Sequence, residues 1–199
     1  SNIANSSNIT VAGWVYPRST NTWQRIFDFG NGDSQYMFLT HRSNTGQIRF
    51  AIKNGGAEQI LNATSLTLNK WSHIAVTLDE TSVKIYVNGQ QVAVSNSITI
   101  RPADFKPLLN YIGRSQYPDP LLNGYIDDFR IYNYALPAED IMKLTEVISG
   151  TEDIRTESNN LKIWPSPATF EFNMKYENSA YSGKSSISIF SSNGRILLQ

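Results

Sequence analysis

Ser82-Val-Lys-Ile-Tyr-Val-Asn88-Gly89-Gln-Gln-Val-Ala-Val94 decides the fold class before any other stretch of the chain. Val83, Ile85 and Val87 alternate with Lys84 and Tyr86, the two-residue period of a strand that buries one face. Asn88-Gly89 then supplies the pair a type I′ turn demands, because both of its central residues take positive φ. The stretch predicts a β-hairpin with Val83, Ile85 and Val87 toward a core.

The same pattern recurs on both sides of the hairpin. Upstream, 71–79 places Ile74, Val76 and Leu78 on one face, and further strands are expected over 10–16, 24–30, 35–40 and 47–53. Downstream, 95–107 reads as a crossover loop with a short extended piece at 98–100. Strands follow over 110–114 and 124–133, then a short helix over 136–144 with Pro137 in its first turn and Glu139 and Asp140 at its positive end. Many short strands with turn signals between them predict an all-β, antiparallel two-sheet sandwich. Its expected core includes Trp14, Ile26, Phe38, Phe50, Ile74, Val76, Ile85, Val87, Ile112, Phe129 and Ile131.

This first domain is expected to span 1–144, with a polar linker over 145–160. Strand patterning restarts over 161–199, where a second Asn-Gly turn stands at Asn193-Gly194. So short a segment cannot build a full core of its own. It predicts a small, partial β-sandwich-like tail, truncated one strand into a hairpin.

Composition removes whole classes of function. Lys+Arg and Asp+Glu both number 17, so there is no basic excess to draw the chain to a phosphate backbone, and nucleic acid is not an expected partner. There are no cysteines, which excludes disulfides, thiolate metal sites and cysteine nucleophiles. No apolar run approaches the roughly 18 residues of a membrane-spanning helix, so membrane insertion is not expected. Ser1-Asn2-Ile3 begins no signal peptide, and any export signal is expected upstream.

Four stretches in order, Val11-Ala-Gly-Trp-Val-Tyr-Pro17, Trp71-Ser-His-Ile-Ala-Val-Thr77, Lys84-Ile-Tyr-Val-Asn-Gly89 and Gly124-Tyr-Ile-Asp-Asp-Phe-Arg-Ile-Tyr-Asn-Tyr-Ala-Leu136, resemble the laminin-G-like branch of the concanavalin A-like lectin/glucanase jelly rolls. The resemblance covers 1–144 and implies a jelly-roll sandwich. In the tail, Ile163-Trp-Pro-Ser-Pro-Ala168 and Ile187-Ser-Ile-Phe-Ser-Ser-Asn-Gly-Arg-Ile196 resemble the C-terminal sorting domain of Bacteroidetes type IX secretion. Trp164 and Ser166 stand where that family has Tyr and Asn, and its terminal strand with a basic end is missing.

The related glucanases carry a Glu-x-Asp-x-Glu cluster on one strand, because a retaining glycosidase needs two carboxyl groups about 5 Å apart. Here 35–40 reads Gln-Tyr-Met-Phe-Leu-Thr with no acid, so no catalytic residue is expected. His73 sits where the family pattern itself often has a polar residue, which favours a structural role. The resemblance implies instead a non-catalytic accessory module of a larger secreted or cell-surface bacterial protein, with a glycoside hydrolase as the expected parent. Its partner would be a polysaccharide or glycan, or an adjacent catalytic domain. The alternative is a cell-surface adhesion module with a protein ligand.

Sugars stack on exposed aromatic faces beside a few planar polar groups. Trp23, Tyr36, Tyr117 and Tyr125 lie outside regular core positions, with Arg114, Gln116 and Asp119 near Tyr117. Tyr117, Arg114 and Trp23 are the candidate carbohydrate contacts, the alternative for Trp23 and Tyr36 being edge packing. The family resemblance also implies a structural Ca²⁺ held by Asp128 and the carbonyl of Gly30, on the premise that Asp128 is buried. Its alternatives are a loop cap or an ion pair with Arg114 or Arg130. Asp33 is a weaker metal candidate that serves equally as a turn residue.

Overall fold

The computed structural model describes residues 3–146 and four short backbone segments, 160–164, 173–177, 189–190 and 196–198. The chain divides into two compact units, 1–147 and 148–199. In the first unit β1 (Ile9–Pro17), β6 (Ser72–Leu78), β7 (Val83–Val87), β8 (Gln90–Ser95) and β10 (Gly124–Tyr132) form one five-stranded sheet. Its order is β10-β1-β6-β7-β8. The second sheet takes β2 (Arg25–Gly30), β3 (Gln35–Thr40), β4 (Ile48–Asn54), β5 (Gln59–Ala63) and β9 (Leu109–Ile112) in the order β5-β4-β3-β2-β9. Every pairing in these two sheets is antiparallel.

The hairpin forms as its residues dictate. Asn88 takes φ 49° and Gly89 φ 78°, both positive as a type I′ turn requires. The turn is tied to β6 as well, since Asn88 Oδ1 accepts from the His73 N–H at 2.9 Å and Asn88 N–H donates to the His73 carbonyl at 2.8 Å. A side chain at Gly89 would also meet Met142 Sδ at 2.5 Å.

The two inner faces meet in one apolar core. Ile9, Val11 and Val15 of β1, Ile74, Val76 and Leu78 of β6, and Val83 and Ile85 of β7 face Phe27, Phe29, Met37, Leu39, Phe50 and Ile52 of the second sheet. Each such side chain contributes about 1.5–3 kcal/mol by leaving water. The outer face of the first sheet is covered in its turn. The helix α2 (Ala138–Lys143) docks Ile141, with Leu136 before it, on Ala12, Ala75 and Tyr86.

Three local expectations are corrected, and the burial of Phe38 holds with a different face. Ile112 is 53% exposed, because β9 is the edge of its sheet and nothing covers its face there. Trp14 is half-buried and turns away from the core, edge-on to the His73 ring at 5.5 Å. Phe38 is buried on the opposite face of β3 from the core, packed with Tyr36 and Ala51, while Met37 and Leu39 point inward. Residues 98–100 form no strand, and a one-turn helix, α1 (Pro102–Phe105), follows them. The strand β5 was not anticipated, because Ile60-Leu61 breaks the alternation that would mark it.

In the second unit β11 (Asn160–Trp164) pairs with β12 (Asn173–Glu177), and β13 (Ile189–Phe190) with β14 (Ile196–Leu198). Residues 165–168 of the sorting-type motif and the Asn193-Gly194 turn lie outside the described residues, as does most of the expected linker.

Candidate functional site

The outer face of the second sheet carries chemistry rather than apolar packing alone. Across its middle, Phe38 pairs with Asp28 of β2 on one side and Ala51 of β4 on the other, so the three share a face. Tyr36 follows on that face between Gly30 and Lys53. Gly30 must lack a side chain, since a Cβ there would lie 2.9 Å from the Cβ of Tyr36.

The loop 115–119 is fastened over this face by one buried cation and two carboxylates. Arg25 Nη2 meets Asp119 Oδ2 at 3.0 Å, its Nε lies 3.5 Å from Asp28 Oδ2, and its Nη1 donates to the Trp23 carbonyl at 3.0 Å. Ser115 Oγ donates to Asp119 at 2.9 Å and faces Asp28 at 3.3 Å, while Gln116 N–H donates to Asp28 at 3.0 Å. Asp28 is sealed beneath, with no exposed surface. Burial pushes its carboxyl up to about 6, against the opposing pull of the Gln116 N–H and the Arg25 charge. Burial likewise lowers the Arg25 guanidinium, which Asp119 and Asp28 oppose.

Trp23 occupies the left-handed region, φ 66°, which costs a bulky residue about 1–2 kcal/mol. Such strain persists only where the surroundings over-determine it. Here Trp23 N–H donates to the Arg42 carbonyl at 2.9 Å, and its own carbonyl is held by Arg25. The indole lies against two guanidinium groups, Arg25 at 5.5 Å and Arg49 at 5.4 Å from its ring centre.

Trp23, Tyr36, Phe38 and Tyr117 enclose an open cleft of about 200 Å³, with Arg25, Glu58 and Asp119 as its charged lining. Tyr36 O–H donates to Glu58 at 2.5 Å, and Tyr117 O–H to the Asp33 carbonyl at 2.8 Å. Burial and the adjoining Glu58 carboxylate hold the Tyr36 phenol far above its ordinary range, so it remains a donor.

Of the expected carbohydrate contacts, the structure brings Trp23 and Tyr117 to this one cleft. Arg114 does not line it; its guanidinium lies 4.7 Å over the Tyr111 ring. Tyr125 stands apart, on the first sheet, with Tyr16, Trp71 and Arg18. Sequence reasoning missed the roles of Arg25 and Asp28, both of β2, and of Glu58, just before β5. The missed signal was Arg25 and Asp28 within an otherwise apolar strand, an arrangement that calls for a partner charge.

Asp128 is exposed, which removes the premise of the Ca²⁺ expectation. It takes φ 48° in a β-bulge of β10 opposite Gly13, a conformation Asp tolerates better than most residues. Its carboxylate accepts from Arg130 Nε at 2.7 Å. Gly30 lies in the other sheet, and its carbonyl accepts from the Leu108 N–H at 3.2 Å. Two donors on different sheets, one already neutralised by a guanidinium, do not make a set fitted to Ca²⁺. Among the described residues no group of three or more His, Cys, Asp or Glu gathers as a metal site. Asp33 is exposed and joins the cleft through its carbonyl alone. His41 and His73 are buried and held neutral, each lowered to about 4 chiefly by desolvation.

Comparison with known proteins agrees with this architecture. Residues 1–142 match the laminin-G-type family described as the concanavalin A-like lectin/glucanases superfamily. Usherin of Rattus norvegicus is 25% identical over 146 residues, covering 70% of this chain; the chain spans only 3% of that protein. Domain 4 of AbnA, a GH43 extracellular arabinanase from Geobacillus stearothermophilus solved with arabinotriose, superposes with a TM-score of 0.63 at 20% identity, covering 71% of this chain and 68% of that one. The CBM40 of the Ruminococcus gnavus IT-sialidase, bound to α2,3 sialyllactose, gives 0.62 at 16% identity, with 72% and 85% covered. At these identities the likeness is one of fold.

Proposed function

The chain belongs to the concanavalin A-like lectin/glucanases superfamily, and from that premise we propose that it is a non-catalytic carbohydrate-binding module of a larger secreted or cell-surface bacterial protein, a glycoside hydrolase being the parent class. The observation that carries the reading is Trp23, held in a strained conformation and presented with Tyr117 over the buried Tyr36, beside two carboxylates in an open cleft. Aromatic faces take the C–H side of a sugar ring and the carboxylates take its hydroxyls. Two structural neighbours solved with oligosaccharides support it. Export by a type IX route, from the resemblance read in 161–199, is part of the same proposal.

The non-catalytic part rests on accessibility. Asp28, the carboxyl raised toward general-acid range, is sealed from solvent and cannot reach a glycosidic oxygen. Asp119 is neutralised by Arg25. A glycan array followed by affinity electrophoresis tests the whole reading. Retardation by at least one polysaccharide is expected, weakened about tenfold or more by Trp23→Ala. A blank array, or measurable turnover of a polysaccharide, overturns it.

A second reading has one observation in its favour. Leu108, Leu109, Ile112 and Leu121 are exposed around the edge strand β9, as expected of a surface that packs on a neighbouring protein domain. Unaltered glycan retardation together with loss of domain association in Leu109→Asp would support that packing as an additional role.

A further inference from the structure

The charges around the cleft are balanced and mostly committed. Its one lining cation, Arg25, gives Nη1 to the Trp23 carbonyl and Nη2 to Asp119, its Nε lies 3.5 Å from Asp28 without a hydrogen bond, and its side chain is only 3% exposed. It therefore has no free fork for a ligand carboxylate or sulfate, which would instead meet Glu58 and Asp119. A cationic ligand fares no better. Fixed cations stand beside these rings, Arg25 at 3.7 Å over Phe38, Arg25 and Arg49 at 5.5 and 5.4 Å from the Trp23 ring centre, and Lys53 at 5.9 Å from the Tyr36 ring centre, so a second positive charge brought to them is repelled where a neutral ring is not.

What remains open is acceptor capacity. Glu58 accepts one hydrogen bond among the described residues, from Tyr36, and Asp119 Oδ1 accepts none while Oδ2 serves Arg25 and Ser115. A carboxylate has room for about four bonds. Groups that donate without bearing charge, the hydroxyls of a sugar, satisfy those acceptors without opposing either sign. The cleft, about 200 Å³, falls below the roughly 300–1,000 Å³ of sites for larger ligands, which is room for one ring.

Building on the reading of this cleft as a glycan site, we propose that it selects a single uncharged sugar unit and rejects acidic and amino sugars alike. Selection comes from hydroxyl donation to Glu58 and Asp119 while the ring stacks between Trp23 and Tyr117.

The test applies the full 199-residue chain to an array of neutral, uronic- or sialic-acid-bearing and amino-sugar oligosaccharides, with calorimetry on the hits. Neutral oligosaccharides are expected to bind and to lose binding in Trp23→Ala. Their affinity should change less than about twofold up to 1 M salt, where the screening length is about 3 Å. Glu58→Gln should weaken them about tenfold, through loss of a charge-assisted acceptor. Trp23-dependent binding of sialyllactose, an oligouronate or a chitosan oligomer in preference to neutral sugars overturns the selectivity and leaves the glycan site standing. Hits indifferent to Trp23→Ala, or a blank array, overturn the site and the selectivity together.

Discussion

Replacing Arg25 by Met is the perturbation that probes the architecture under the cleft most directly. Methionine keeps much of the apolar stem and removes the charge. Asp28, with no exposed surface, then loses its nearest cation, and Asp119 loses the partner at 3.0 Å. Breaking a buried pair by deleting one member costs about 3–5 kcal/mol. At roughly 2–4 °C per kcal/mol for a domain of this size, the melting temperature should fall by about 6–20 °C at pH 7.5. The loss should shrink on acidification. Asp28 already titrates near 6 with Arg25 present, and without it the carboxyl is neutral at pH 5. About half of the penalty should then remain, from the lost packing on Phe38 and the lost bond to the Trp23 carbonyl. Urea unfolding of wild type, Arg25→Met and the Arg25→Met/Asp28→Asn double variant at both pH values measures this. A loss under about 1 kcal/mol at pH 7.5, or one equal at the two pH values, refutes the reasoning.

Other expectations are as direct. His41 and His73 are lowered in the fold to about 4, so their neutral forms contribute stability that is complete above pH 6.5 and lost as pH falls toward 4, on the order of 3 kcal/mol each. Asp28, raised to about 6, acts with the opposite sign, its contribution being present below pH 3.8 and lost as pH rises through 6, so Asp28→Asn should steepen the acid fall seen in urea midpoints. A stability of the Asp28→Asn variant that holds level from pH 7 to 4.5 contradicts both histidine assignments. Replacing Asn88-Gly89 with Val-Val should cost several kcal/mol in thermal melts, from two positive-φ residues and the contact of a new side chain with Met142; an unchanged melting temperature rejects the turn as the hairpin's determinant. Asp128→Asn keeps a residue that tolerates positive φ and removes an exposed ion pair, so it should cost under about 1 kcal/mol. A chelator-induced fall in melting temperature that this variant abolishes would place a metal at Asp128 after all.

The hairpin, the strands flanking it and the two-sheet sandwich were determined by the sequence itself. Alternation over 83–87 and 74–78, with Asn88-Gly89 between strands that pair directly, leaves one arrangement that buries the branched side chains and satisfies the turn. Trp23 and Tyr117 also stood out as aromatics without a core position. The face of β3 was another matter. Tyr36 to Leu39 is an unbroken apolar run, and a run without alternation does not say which parity points inward; only packing against β2 and β4 put Met37 and Leu39 in the core and Tyr36 and Phe38 in the cleft. Ile112 shows the complementary limit, an apolar residue in a strand whose exposure follows from its place at the sheet edge. The site itself was decided by tertiary structure. Gln116 reaches Asp28 across 88 residues and Glu58 reaches Tyr36 across 22, and such closures leave no local mark, because the partner that makes a buried charge tolerable is chosen by the folded chain and not by its neighbours in sequence.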